Sequence, residues 1–335
     1  MAFERRLALS VAYDIPLPDH VALAGEAEAL GYRDAWSLEV DGLDCFSPLA
    51  VVAQATNLRV GTAIANVFTR GPATLAQSAA AVAEMAPGRF VLGIGAGSAP
   101  IVEGWNSGRF ALSATRVREM VAFLRTAFAG ERVVTQGKTL QVNGYRMTRP
   151  PSQPIPIYVA ALREGMLRVA GEVADGVILN WLSAEDVRKS VAVVREAAER
   201  AGRDPGSIEV TARLMVGIDP PGPEADTSLR RYIASYLNVP TYRDFHRWLG
   251  RTNLQGMWDA WDAGDRRGAL AALSDEAVNE VMVAGSAQAR REHVERFFDA
   301  GVDTAFLAFT SAEKDPAKLK ELVWTAMREH ARPAG

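Results

Sequence analysis

Short runs of β-branched and other apolar residues alternate along this chain with Ala-rich segments whose apolar positions recur at helical spacing. Such alternation predicts parallel strands that are connected by amphipathic helices. The predicted strands are Leu7–Ala12, Asp34–Leu38, Leu58–Ala63, Phe90–Ile94, Ile155–Ala160, Gly176–Asn180, Ile208–Gly217 and Thr304–Phe309. The predicted helices include His20–Leu30, Ala73–Met85, Ser113–Ala129, Gly165–Ala174, Ala184–Ala201, Ala287–Ala300 and Ala317–Arg328.

Strict alternation of eight strands with helices predicts an α/β fold in which the strands close into a (β/α)8 TIM barrel. Strands such as Phe90–Ile94 are apolar on both faces, which is typical of strands buried between a barrel interior and a ring of helices. The 335 residues are enough for one such domain with insertions. An open, doubly wound sheet is the alternative architecture.

Two segments depart from the alternation. Residues 131–154 alternate polar and apolar positions around Asn143-Gly144, which predicts a short extended excursion after the fourth helix, with its turn at that pair. Residues 219–283 open with a proline-rich stretch and continue as helical, aromatic-rich sequence. This helical insertion follows the seventh strand, so we expect it at the carboxyl ends of the strands. There it would either cover the active site or only bury its own aromatic residues.

The composition narrows the class of protein. Hydrophobic residues make up 48% of the chain and charged residues 23%, which favours a packed core over disorder. The net charge of −3 gives no electrostatic reason to bind nucleic acid or a membrane. A single cysteine, Cys45, favours a reducing compartment. Since neither a signal peptide nor an apolar run of about 20 residues is present, we expect a cytoplasmic protein.

Catalytic residues of TIM barrels lie in the loops that follow the strands. None of the four histidines falls at such a position. They are His20, His246, His293 and His330. We therefore expect no histidine-based metal site and no histidine-centred catalytic triad, and we expect a cofactor to supply the difficult chemistry.

Glu39 follows the second predicted strand and is the candidate catalytic residue. A carboxylate at the end of a buried strand faces the barrel mouth, where partial burial suits it to act as a general acid or base. The alternative is a structural role, in which Glu39 caps a helix or pairs with Arg70.

The fourth strand is followed by Gly95-Ala96-Gly97-Ser98. The third glycine of a dinucleotide-binding fingerprint is missing, so a Rossmann site is disfavoured. Glycines at a barrel mouth would nevertheless let the backbone approach a cofactor closely. Trp105, further along the same loop, is a candidate wall of the substrate pocket.

The helix after the fifth strand begins within Ala161–Met166. Free N–H groups and the positive end of the helix dipole make such a start an anion site, which Arg163 would reinforce, and a phosphate is the expected guest. An ordinary solvated helix start is the alternative. The sixth strand ends at Asn180-Trp181, an amide beside an indole, which suits ligand contact or packing at the rim.

These segments resemble a known family. Gly61–Pro72, Met85–Gly97 and Pro156–Ala160, the last followed by Ala174–Gly176, are similar to the bacterial luciferase-like superfamily. Within it they most resemble the coenzyme F420-dependent oxidoreductases, a branch that includes methylenetetrahydromethanopterin reductase. The resemblance covers nearly the whole chain.

The resemblance implies F420 as the cofactor, with hydride transfer between the deazaflavin C5 and a small organic substrate. It implies a non-proline cis peptide bond between Ala63 and Ile64 that supports the deazaflavin ring, and a homodimer. Trp105 and Trp181 would then shape the substrate pocket. The residues assigned to the cofactor are Ala63, Ile64, Gly95, Ala96, Gly97, Ser98, Ala161, Leu162, Arg163, Glu164, Gly165, Met166 and Asn180.

Two positions depart from the family pattern. The branch often has an Asp-His pair after the second strand, where this chain has Leu38-Glu39, and a double glycine at the phosphate loop, where it has Leu162-Arg163. Three alternatives to the F420 enzyme stay open. They are an FMN-dependent monooxygenase that uses reduced flavin and O2, a nicotinamide dehydrogenase, and a non-catalytic cofactor-binding protein.

Overall fold

Eight parallel strands close into a barrel in the computed structural model of the chain, which describes residues 3–11 and 15–331. In chain order, and including the short β4 and the two strands β6 and β7 that lie outside the barrel, the strands of the described residues are β1 (Arg6–Ser10), β2 (Asp34–Ser37), β3 (Arg59–Thr62), β4 (Ala65–Asn66), β5 (Phe90–Gly95), β6 (Val133–Gln136), β7 (Gln141–Tyr145), β8 (Ile157–Ala160), β9 (Gly176–Asn180), β10 (Glu209–Gly217) and β11 (Thr304–Thr310). Their order around the barrel is β3-β2-β1-β11-β10-β9-β8-β5, and β5 pairs back to β3. The predicted TIM barrel is confirmed, and the open sheet is wrong.

The helices lie mainly where the periodicity predicts them. They are α1 (His20–Ala29), α2 (Ser47–Ala55), α3 (Pro72–Met85), α4 (Ser113–Phe128), α5 (Glu164–Val173), α6 (Ala184–Arg200), α7 (Pro223–Leu237), α8 (Pro240–Leu249), α9 (Gln255–Asp262), α10 (Arg266–Ala271), α11 (Asp275–Val281), α12 (Ala287–Asp299) and α13 (Pro316–His330). The short helix α2 was not among the predicted segments. The first predicted strand ended at Ala12, which lies outside the described residues. No helix within residues 3–11 and 15–331 is long and apolar enough to cross a membrane.

The barrel interior is filled by large side chains that face small ones. Trp36 is fully buried, and its ring stacks on Phe306 at 5.5 Å between centroids. A Cβ atom on Gly61 would lie 2.5 Å from the Trp36 ring, and a Cβ atom on Gly176 would lie 2.7 Å from the Tyr158 ring. These two glycines therefore provide the space that the aromatic rings occupy.

An ionic network closes the interior at the amino ends of the strands. One guanidinium nitrogen of Arg59 lies 2.6 Å from a carboxylate oxygen of Asp34 and 2.6 Å from one of Glu209. The hydroxyl of Thr304 donates to Glu209 at 2.6 Å, and the hydroxyl of Tyr158 donates to its other oxygen. Burial by itself would raise the pKa of Glu209, but the hydrogen bonds and charge of Arg59 lower it to about 2. The carboxylate of Glu209 is thus ionised and has protein partners for both oxygens.

The excursion after α4 is an antiparallel hairpin of β6 and β7. Its turn lies at residues 137–140, where the N–H of Gly137 donates to the carbonyl of Leu140 at 2.8 Å. The prediction of a turn at Asn143-Gly144 is wrong, because both residues lie inside β7. Gly144 has a φ of 85° and falls at the register shift between β6 and β7. A glycine with positive φ serves a β-bulge as well as a turn, which explains the error.

Five helices, α7 to α11, occupy the long segment between β10 and α12. They form a hydrophobic cluster of their own that also contains Trp181, Met215 and Ala308, which lie on or directly after the barrel strands β9, β10 and β11. After these helices, Val283 returns to the barrel and pairs in parallel with Val216. The helical segment is therefore packed onto the carboxyl ends of β9, β10 and β11.

Candidate functional site

The floor of the site is formed where the third strand ends. The peptide bond between Ala63 and Ile64 is cis, as the family resemblance implies. A Cβ atom on Gly95 would lie 3.1 Å from Ile64 Cγ1 and 3.2 Å from the Cβ of Ala160. The structure thus brings together apolar residues at the ends of three neighbouring strands. Such a floor can accept a planar ligand.

The loop after β5 is tied to the segment that follows the cis bond. The N–H of Val67 donates to the carbonyl of Gly95 at 3.0 Å. Gly97 has a φ of 66°, and a Cβ atom there would lie 2.3 Å from Asn66 Nδ2. Gly97 is therefore required both by its backbone conformation and by the closeness of Asn66. Gly97 is exposed, and its neighbours Ala96 and Ser98 are partly exposed, so the loop can be reached from the barrel mouth.

The start of α5 presents backbone N–H groups that no described residue accepts from. Among residues 3–11 and 15–331, no acceptor is bound to the N–H of Glu164 or Gly165, while the carbonyl of Arg163 accepts from Met166 at 3.0 Å. A Cβ atom on Gly165 would meet nothing within 4 Å. The guanidinium of Arg163 lies 3.1 Å from Asp244 on α8. The helix start can hold an anion through its amides, while the charge of Arg163 is shared with the insertion.

The two residues before this helix start are less exposed. Ala161 is buried, and its N–H donates to the carbonyl of Ile178 at 3.1 Å. Leu162 is partly buried and packs against the main hydrophobic core. These residues therefore fix the position of the loop between β8 and α5, and their side chains are not directed to bind an anion.

Glu39 forms an ion pair with Arg70. The Nε atom of Arg70 lies 3.1 Å and 3.0 Å from the two carboxylate oxygens, and each side chain is about one fifth exposed. The guanidinium also lies 4.9 Å from the centre of the Phe46 ring. Hydrogen bonding to Glu39 raises the pKa of Arg70. The pairing considered as the structural alternative is thus present, and proton transfer by Glu39 stays a prediction.

The two tryptophans predicted to shape the pocket have different surroundings. Trp181 is 1% exposed, and its ring packs against three tyrosines of the insertion. They are Tyr232, Tyr236 and Tyr242, with centroid distances of 5.5, 4.9 and 6.4 Å. Trp105 ends a helical turn and is 58% exposed. Trp181 therefore joins the barrel to its cover, whereas Trp105 lies in solvent.

Arg213 is the residue at the mouth that sequence reasoning missed. It lies on β10, in register with Asn180 on β9. Along β10 it comes two residues after Thr211 and four residues after Glu209, whose side chain faces the barrel interior. Because side chains alternate along a strand, Arg213 shares that inward face. Its Nε atom is buried without a hydrogen-bond partner, as is the Oδ1 atom of Asn180. A lone cation at an inward position of an apolar strand was the signal in the sequence.

Tyr242 of the insertion lies near both of these residues. Burial raises the pKa of Tyr242 to about 12, with a further contribution from Tyr236, while the charge of Arg213 and a hydrogen bond from Asn180 act in the opposite direction. The phenol is therefore neutral near pH 7 and can donate a hydrogen bond. Within the described ranges, no three acidic, histidine or cysteine side chains are grouped so that they could hold a metal ion.

Known proteins share this fold and parts of this sequence. The family described as luciferase-like monooxygenase matches residues 2–304. The chain is 31% identical over 210 residues to the 5,10-methylenetetrahydromethanopterin reductase of Methanolobus tindarius. That alignment covers 62% of this chain and 64% of the reductase, less than two thirds of its length.

A second relative is matched over more of its length. The chain is 30% identical over 243 residues to the F420-dependent glucose-6-phosphate dehydrogenase of Gordonia bronchialis, which covers 70% of this chain and 71% of the dehydrogenase. The solved structure of the coenzyme F420-dependent tetrahydromethanopterin reductase of Methanopyrus kandleri has the same fold, with a TM-score of 0.79 at 22% identity over 98% of this chain and 100% of the reductase. The chain therefore belongs to the luciferase-like family, and its relatives include enzymes described as F420-dependent.

Proposed function

We propose that this protein binds coenzyme F420 across the carboxyl ends of the barrel strands and catalyses hydride transfer to or from a small organic substrate. The observation that carries the proposal is the contact between Ile64, Gly95 and Ala160. These residues of three neighbouring strands form an apolar floor at the barrel mouth, with no side chain on Gly95 and only a methyl group on Ala160. A planar heterocycle fits such a floor, and the names of two F420-dependent relatives, the dehydrogenase of Gordonia bronchialis and the reductase of Methanopyrus kandleri, support F420 as its identity.

The remaining residues of the mouth fit the other parts of such a cofactor. The unpartnered N–H groups of Glu164 and Gly165 suit a phosphodiester, and the loop Gly95–Ser98 can contact the polyol. When bound, F420 supplies a two-electron hydride donor or acceptor. The chain itself contributes binding, orientation and the exclusion of water, the last through the aromatic residues of the insertion that cover Trp181.

Glu39 is our candidate for moving the proton that accompanies hydride transfer. Its carboxylate follows β2 and is held by Arg70, which follows the segment beyond the cis bond. This pairing holds the carboxylate of Glu39 in a fixed orientation, as a general base requires. Arg70 would then act as a positioning residue.

A fluorescence titration of the purified protein with F420, FMN and NADPH in parallel tests the proposal. We expect saturable binding of F420 and much weaker binding of the other two. Binding of FMN without any response to F420 would overturn the proposal in favour of the monooxygenase alternative, whose support is the description of the family itself. Consumption of O2 by the protein with reduced FMN would then be the next measurement.

Gly95→Ala tests the position of the cofactor. The added methyl group would lie 3.1 to 3.2 Å from Ile64 and Ala160 and would fill part of the floor, so we expect F420 to bind roughly tenfold more weakly. Gly25→Ala is the matched control, because a Cβ atom on Gly25 meets nothing within 4 Å. Equal affinities of the two variants would contradict the placement. Homodimer formation stays a prediction, which light scattering can test.

A further inference from the structure

Arg213 faces the proposed floor from the opposite wall of the barrel. Counting from β3, the strand β10 is the fourth neighbour in one direction (β2, β1, β11, β10) and also the fourth in the other (β5, β8, β9, β10). The floor at Ala63–Ile64 continues β3, whereas Arg213 lies on β10. A planar ligand that lies on the floor would therefore turn its free face toward the wall that carries Arg213.

Within the described part of the chain, this arginine differs from Arg70 and Arg163 at the mouth in having no acidic partner. Arg70 is paired with Glu39, and Arg163 is paired with Asp244. Across the ranges 3–11 and 15–331, no carboxylate lies within salt-bridge distance of Arg213, and its Nε atom is buried without a partner. A partly buried charge without a counter-charge is unfavourable, and a ligand of opposite charge removes that cost.

The neighbours of Arg213 favour one class of anion. Asn180 lies beside it in register, and Tyr242 interacts with both side chains, so two further polar groups converge on the same place. On the other sides lie the apolar rings of Phe306, in register on β11, and of Trp181. One planar guanidinium among aromatic rings suits a planar monoanion, whereas a phosphate dianion is usually held by several cations.

We propose that Arg213 binds a carboxylate group of the substrate and thereby determines that the protein acts on small organic carboxylates. This inference rests on the proposed function for the place of the cofactor. The guanidinium pairs with both carboxylate oxygens, and Asn180 and Tyr242 orient the rest of the molecule. Arg213 is a specificity-determining residue and takes no part in holding the cofactor.

Isothermal titration calorimetry with three matched pairs of compounds tests the proposal. The pairs are acetate and acetamide, benzoate and benzamide, and cinnamate and cinnamamide, each titrated with and without saturating F420. Within a pair the size and shape are conserved, while the amide lacks the negative charge and has an NH2 group in place of one carboxylate oxygen. We expect the protein to bind at least one carboxylate roughly tenfold or more tightly than its amide. Arg213→Met removes this preference, and Arg213→Lys keeps part of it because the charge remains.

Arg231→Met is the control, since Arg231 is an exposed arginine of the insertion, and it should keep the preference of the unchanged protein. Circular dichroism and the melting temperature verify that each variant folds, and the lysine variant keeps the test valid should the methionine variant not fold. Equal binding of acid and amide in all three pairs overturns the proposal. It is also overturned when Arg213→Met weakens F420 as strongly as it weakens the carboxylate, because Arg213 would then serve the cofactor.

The two proposals fail in different ways. A protein that ignores F420 but prefers carboxylates through Arg213 contradicts the proposed cofactor and supports the role of the arginine. A protein that binds F420 tightly but shows no preference for carboxylates supports the proposed cofactor and contradicts the role of Arg213.

Discussion

The two ends of the barrel interior each carry an inward-facing arginine, and the two arginines have opposite surroundings. At the amino ends of the strands, Arg59 is paired with Asp34 and Glu209. At the carboxyl ends, Arg213 has no carboxylate partner among the described residues, and Asn180 beside it also has an unpartnered oxygen. The comparison teaches that the protein pairs its buried charges at the amino ends of the strands, whereas the charge of Arg213 at the mouth is left for a ligand. This division is the one that TIM-barrel enzymes use, with stability at one face and chemistry at the other.

The largest effect is expected from Arg59→Met. The substitution removes one partner from each of two buried carboxylates at the amino ends of the strands, Asp34, which is 0% exposed, and Glu209, which is 3% exposed. Because an uncompensated buried charge is strongly destabilising, the free energy of unfolding in urea should fall by about 3 to 5 kcal/mol. Arg149→Met is the control, since Arg149 pairs with Glu84 on the surface, and it should change nothing measurable. A loss for Arg59→Met no larger than for this control would contradict the assigned role of the network.

At the mouth, Glu39→Gln tests the one ion pair to which we assign a catalytic role. The amide keeps the shape of the side chain but cannot accept a proton, so turnover should fall by about a hundredfold or more while F420 affinity is kept. Turnover is followed as the change in F420 absorbance with the carboxylates that bind. Asp44→Asn is the matched control, because Asp44 lies 3.7 Å from the same Arg70. Unchanged turnover in Glu39→Gln would leave Glu39 with a structural role only.

Acid should reduce the stability that the ionic network at the amino ends of the strands provides. The pKa of Glu209 is lowered from 4.5 to about 2, so the unfolded chain binds this proton at a higher pH than the folded protein. Its contribution to stability is complete above pH 4.5 and is lost as the pH falls toward 2, which amounts to about 2 kcal/mol between pH 6 and pH 3. Glu209→Gln should lack this part of the pH dependence, as measured by urea unfolding at both pH values.

Buried histidines also make the stability depend on pH, but they do not affect the comparison of the unchanged protein with Glu209→Gln. Burial, together with Arg251, lowers the pKa of His246 to about 3, and burial lowers that of His293 to about 4. Both residues therefore also reduce stability as the pH falls below 6.5, but they do so equally in the unchanged protein and in Glu209→Gln. Parallel curves for the two proteins would show that Glu209 does not titrate as inferred.

The smallest effect is expected from Arg213→Met. No ion pair is lost among the described residues, and an apolar side chain of similar length can pack against the neighbouring rings. The free energy of unfolding in urea should therefore change by less than about 1 kcal/mol in either direction. Replacing arginine by methionine should therefore have a large effect on stability at the amino ends of the strands and a small effect at the mouth. A cost as large as that of Arg59→Met would mean that Arg213 is part of the structure and not a ligand contact.

Much of the fold follows from local pattern. The alternation of strands and helices predicts the barrel, and strand ends such as Phe90–Gly95 and Gly176–Asn180 lie where the apolar runs end. The candidate residues of the floor follow from the same reasoning together with the family resemblance. The exceptions are local as well, since Gly144 serves a bulge and not a turn.

The partners of the charged side chains could not be predicted in this way. Arg59 and Glu209 are 150 positions apart, and only closure of the barrel brings them together. Likewise, Glu39 meets Arg70, Trp181 is buried while Trp105 is exposed, and Arg213 has no counter-charge among the residues that the structure describes, all because of how distant segments pack. The sequence by itself determined the order and type of the elements, because hydrophobic periodicity is a local property. The tertiary structure alone decided which polar groups are satisfied, because pairing depends on distances through space between residues remote along the chain.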